Sequence, residues 1–131
     1  MSSMDLEPGI APLVVALNNT GVVQTFSSCE GHFDPHPGLR DRNHAEVRLL
    51  PAPGTLPGAV EAWLGTVLTR FKTRHGLLPV TVVGYKLFTP LDADTVEETY
   101  VLELRPFNRH DPPATRRADI DRATRQLAAL V

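Results

Sequence analysis

An α+β domain, with one four-stranded and largely antiparallel sheet and helices packed on it, is the fold class this sequence predicts. Three patterns carry that expectation. Apolar residues recur with helical period near both ends and most clearly over residues 58–75, β-rich runs come in two pairs, and the resulting order is α-β-β-α-β-β-α. A chain of 131 residues with 42% hydrophobic and 21% charged residues fits a single domain spanning 1–131, with residues 1–8 as a flexible N-terminus.

Each element has its own signal. Ile10, Leu13, Val14 and Leu17 fall at i, i+3, i+4 and i+7, and Pro12 is tolerated only in a first turn, so a helix begins close to it. Asn18, Asn19, Thr20 and Gly21 stop it with residues that accept left-handed backbone angles. A strand follows over 22–28, then a loop over 33–43. Residues 45–50 alternate, with Val47 and Leu49 on one face and Glu46 and Arg48 on the other. Val60, Trp63, Leu64, Val67, Leu68 and Phe71 make the apolar stripe of the long helix, which Gly76 ends. Strands over 80–88 and 99–105 join as a hairpin through an acidic linker holding Asp92, Asp94, Glu97 and Glu98. Asp111 offers an N-cap with Pro112 at the first helical position, and Ile120, Ala123, Leu127, Leu130 and Val131 give the terminal helix its stripe. Its arginines, Arg116, Arg117, Arg122 and Arg125, read as a salt-bridged exposed face beside Asp119 and Asp121. Tyr85 and Tyr100, on adjacent strands, read as an aromatic pair stabilising the hairpin.

Composition narrows the function. Thirteen basic against fifteen acidic residues give a net charge of −2, which argues against a strong sequence-independent grip on nucleic acid. No run reaches the roughly 20 apolar residues of a membrane span, and the N-terminus has no basic-then-apolar signal pattern, so a cytoplasmic protein is expected. The lone Cys29 precludes an intrachain disulfide.

Polar chemistry concentrates where the first strand ends. Ser27, Ser28, Cys29, Glu30, Gly31 and His32 gather two hydroxyls, a thiol, a carboxylate and an imidazole around a glycine that lets the backbone turn sharply. Cys29, Glu30 and His32 are the candidate catalytic residues. Ser27, Ser28 and Gly31, with the guanidinium forks of Arg40, Arg42 and Arg48, are the candidate ligand-binding set. Cys29, His32, His36 and His44 with Asp34 and Asp41 include zinc-type ligands, but their spacing matches no standard finger and no metal is assigned.

The run Ser27-Ser28-Cys29 with Gly31, preceded by a helix, Asn18-Asn19 and Thr25, resembles the Ser-Ser-Cys-Ser-Gly-Arg signature of the wybutosine-synthesising tRNA methyltransferases. Glu30 stands where that family has its third serine, and His32 where it has arginine. The resemblance implies a shared fold and site location, and S-adenosylmethionine as cofactor. No Gly-rich cofactor fingerprint accompanies it, so from the residues themselves the cofactor is unknown. Three readings stay open: a domain binding or modifying a small or nucleotide-like ligand at residues 27–32, a non-catalytic protein-interaction module, and a cysteine- or metal-dependent hydrolase. The sequence leaves oligomeric state undetermined.

Overall fold

The computed structural model describes residues 6–31, 33 and 44–131. The chain order is α1 (Ala11–Asn18), β1 (Val23–Cys29), β2 (Ala45–Pro51), α2 (Pro57–His75), β3 (Val80–Pro90), β4 (Val96–Pro106) and α3 (Pro113–Ala128). The strands form one sheet in the order β1-β2-β4-β3, every neighbouring pair antiparallel. Because β4 is antiparallel to both β2 and β3, those two strands run in the same direction, with β4 between them and α2 as the connection.

Register sorts every strand into two faces, since directly paired residues share a side. Ala45, Val47 and Leu49 oppose Leu104, Leu102 and Tyr100, and on β3 Val82 and Gly84 continue the row. This face packs on the helices. A Cβ on Gly84 would meet Leu64 and Leu68 of α2, and the row joins Ile10, Leu13, Leu17, Val60, Val67, Phe71, Ile120 and Leu127 in one buried cluster. Trp63 packs against that cluster only partly buried, at its margin rather than in mid-core.

The opposite face carries Glu46 and Arg48 from β2, Thr99, Val101, Glu103 and Arg105 from β4, and Thr81, Val83, Tyr85 and Leu87 from β3. Among the described residues no helix packs on it.

Several local expectations change. Asp111 does not cap α3: Pro112 occupies that position without a side-chain cap, because the Asp111 carboxylate accepts from Asn108 Nδ2 and its carbonyl accepts from Arg116 Nε. The left-handed residue after α1 is Gly21 (φ +73°), while Asn18 turns its amide across to β1, donating from Nδ2 to Thr25 Oγ1 and accepting the Thr25 N–H. Tyr85 pairs with Val101 and Tyr100 with Lys86, so the two tyrosines point to opposite faces and do not stack on each other. Residues 6–8 belong to the body rather than to a flexible tail. The Glu7 carbonyl accepts from the N–H groups of Ile10 and Ala11, and its carboxylate accepts the Glu30 N–H.

Candidate functional site

The turn after β1 is held from three directions. Gly31 adopts φ +90°, a backbone region nearly closed to other residues, and a Cβ there would stand 2.9 Å from Phe33 Cζ and 3.1 Å from the His44 carbonyl oxygen. Arg117 of α3 donates from Nη2 to the Glu30 carbonyl (2.7 Å) and from Nη1 to the Gly31 carbonyl (2.8 Å), and Asp121 one helical turn on fixes its guanidinium at 2.6 Å. The Glu30 carboxylate accepts the Gly9 N–H at 2.7 Å. Phe33 is buried, with the guanidiniums of Arg116 and Arg117 each 5.2 Å from its ring centroid.

These contacts recast the candidate residues. Glu30 and Gly31 knit β1, the N-terminal segment and α3 together through their backbones, and the Glu30 carboxylate ties down the approach to α1. Cys29 is buried, and Ser28 faces the helices opposite Val47. Ser27 and Cys29 pair with Arg48 and Glu46, which puts them on the helix-free face, so Ser28 and Cys29 diverge instead of lining one pocket. Arg48 lies at the centre of that face. His32, Arg40 and Arg42 lie outside the described residues, as do Asp34, His36 and Asp41.

The helix-free face holds the charge cluster that sequence inspection did not assemble. Glu46 and Glu103, direct register partners on neighbouring strands, are 7% and 3% exposed, unusual values for carboxylates on a face without helices. Their Oε1 atoms converge on one imidazole: His44 Nε2 lies 3.0 Å from Glu103 Oε1 and 4.0 Å from Glu46 Oε1. Their Oε2 atoms turn to arginines. Arg105 donates from Nε (3.1 Å) and Nη2 (2.6 Å) to Glu103 Oε2, and Arg48 Nε lies 3.9 Å from Glu46 Oε2. Both guanidiniums remain substantially exposed.

Tyr85 stands on the same face, 38% exposed. Its phenol is held above the ordinary tyrosine range, first by desolvation and then by the negative charges of Glu103 and Glu46, which oppose a phenolate. The sequence places His44 among several loop imidazoles and Glu46 on the polar side of its strand, and it does not single out Glu103. The available signal was the register: once β2 and β4 pair with Glu46 opposite Glu103, the two carboxylates must meet. Arg116 and Arg117, expected on a solvated helix face, are instead buried and half-buried against Phe33 and the turn. No family model, no curated protein and no solved structure matches the chain.

Proposed function

We propose that the chain is a binding domain for a small nucleotide-like ligand, taken up on the helix-free face of the sheet beside the end of β1. One observation carries the reading: on a face where no described helix packs, two buried carboxylates sit at the centre of an ordered array of charged side chains, where a purely solvated face would carry dispersed and exposed ones.

The roles follow from chemistry. The Tyr85 ring is exposed and keeps its proton, a neutral surface on which a heterocycle stacks. Arg48 and Arg105 present guanidinium donors suited to a phosphate or carboxylate. Ser27, across from Arg48, adds a hydroxyl at the rim. The resemblance of residues 27–31 to a tRNA-modifying family supports a ligand of nucleotide type, and the net charge of −2 favours a single small ligand over a long polyanion. In this reading Glu30 and Gly31 build the site's edge, and the chain's affinity lies on the sheet.

Titration calorimetry with nucleosides and nucleoside monophosphates tests it. Loss of a stacking ring weakens base binding by about 1–3 kcal/mol, so Tyr85→Ala should weaken every ligand that binds, and Arg105→Ala should weaken the phosphorylated ones selectively. Absence of binding across the panel, or affinities untouched by both variants, overturns the proposal.

A further inference from the structure

We infer that His44, Glu46 and Glu103 form a binding site for a divalent transition-metal ion. Three features of the cluster point there. The first is electrostatic: two buried carboxylates stand directly opposite each other on antiparallel strands, and a cation between them would add, on the inner side, to the compensation that Arg48 and Arg105 give on the outer. The second is the direction of the oxygens. Nε2 of His44, Oε1 of Glu103 and an oxygen of Glu46 stand within 4.8 Å of one another, and ligands bound to one ion at about 2.0–2.2 Å sit roughly 3–3.5 Å apart, so a small closure of the side chains completes the triad. The third is what lies behind them. Arg105 holds Oε2 of Glu103 by two hydrogen bonds, so its inner oxygen faces the imidazole, and the Arg48 guanidinium stands on the outer side of Glu46, 3.9 Å from Oε2. Outer partners that fix ligating carboxylates are the supporting shell a metal site requires.

One imidazole nitrogen with two carboxylate oxygens selects borderline ions such as Zn2+, Mn2+ or Co2+ over Ca2+, which prefers an all-oxygen cage. Three protein ligands leave coordination positions for an incoming group. Resting on the ligand reading above, the ion also resolves a conflict: a phosphate drawn to Arg48 and Arg105 would otherwise meet the charges of Glu46 and Glu103, which the cation offsets.

The test begins with full-length protein stripped by chelator and dialysed free of it. Zn2+ alone is titrated by calorimetry, and Co2+ alone by its visible d–d absorption, into the parent and into His44→Ala, Glu46→Gln and Glu103→Gln, each checked for fold by circular dichroism. One ion per chain and at least a tenfold loss of affinity in every folded variant are expected. His44 is half-buried, so at least that variant should keep its fold. No binding of either ion, or binding undiminished in the folded variants, overturns the site. A nucleoside monophosphate is then titrated with and without Zn2+. If the ion binds through the triad and no nucleotide binds in either condition, the metal site stands and the ligand reading falls. If nucleotide binds at Tyr85 and Arg105 while no ion binds, the ligand reading stands and the metal site falls.

Discussion

The two faces of the central strands bury different chemistry although they alternate residue by residue. On the helix side, Ala45, Val47, Leu49, Leu102 and Leu104 are all 0% exposed and join the helices in one apolar cluster. On the other side Val101 and Thr99 are buried too, but beside them Glu46 and Glu103 are nearly as inaccessible and are carboxylates, with His44, Arg48, Arg105 and Tyr85 around them. The first face gains stability from every residue it covers. The second gathers like charges that a stability-optimised sheet would avoid, and such departures from local consistency concentrate at functional positions. On the proposed reading, stability and recognition are separated by the two-residue period of the strand.

Adjacent residues of β4 give the largest contrast. Leu102→Ala empties a fully buried position and should cost about 2–5 kcal/mol of unfolding free energy, as large-to-small core changes do. Glu103→Gln, one residue on and nearly as buried, should stay within about 1 kcal/mol of the parent in metal-free buffer, because losing the Arg105 and His44 attractions is offset by relief of repulsion from Glu46. Denaturant unfolding curves check both. Equal losses would erase the distinction between the faces.

The turn after β1 belongs with the stabilising side. Gly31→Ala should cost about 2–4 kcal/mol, combining left-handed strain with the close approach to Phe33 and the His44 carbonyl. Arg117→Ala should cost somewhat less, about 1–3 kcal/mol, by leaving the carbonyls of Glu30 and Gly31 without their donors in a partly buried setting. Melting temperatures of the two variants, set beside Arg125→Ala on the exposed side of the same helix, measure this. If Arg117→Ala melts like Arg125→Ala, the clasp is unimportant.

The order of elements, the apolar stripes and the alternation of β2 were legible because each rests on local spacing: the period seen at Val60, Leu64, Val67 and Phe71 is the face that α2 buries. The glycine at position 31 was legible as a turn for the same reason. The charge cluster was not, because its members come from residues 44, 46 and 103, and only strand pairing brings them together. Arg117 was misread for a related cause. A charge at i with an acid at i+4 looks like a surface pair from sequence, and here it is also a strut from α3 to a turn 86 residues earlier. Alternation told that one side of β2 is buried; it said nothing of how far the polar side is withdrawn from water.

The smallest effect expected is on pH dependence. The Tyr85 phenol keeps its proton more tightly folded than unfolded, so between the two titrations the folded state binds more protons, and stability falls as pH rises above about 10. Tyr100 titrates in the same sense from the helix side, where burial and its hydrogen bond to Glu61 raise it. Tyr85→Phe should therefore soften the alkaline decline without removing it, as read from unfolding curves between pH 8 and pH 11. A decline identical to the parent's would mean that neither desolvation nor the carboxylates hold the Tyr85 phenol up.

Whether ligands are taken up on the helix-free face, with the turn beside it as scaffold, is read out by nuclear magnetic resonance. Backbone amide shifts are followed as a nucleoside monophosphate and Zn2+ are added to the labelled, full-length protein. Saturable shifts are expected to centre on Glu46, Arg48, Tyr85, Val101 and Glu103, with Ser27 at their margin and the helix residues Ile120 and Leu127 little changed. Shifts confined to Glu30, Gly31 and Arg117, or to the groove between α2 and α3 around His75 and Arg122, would contradict it.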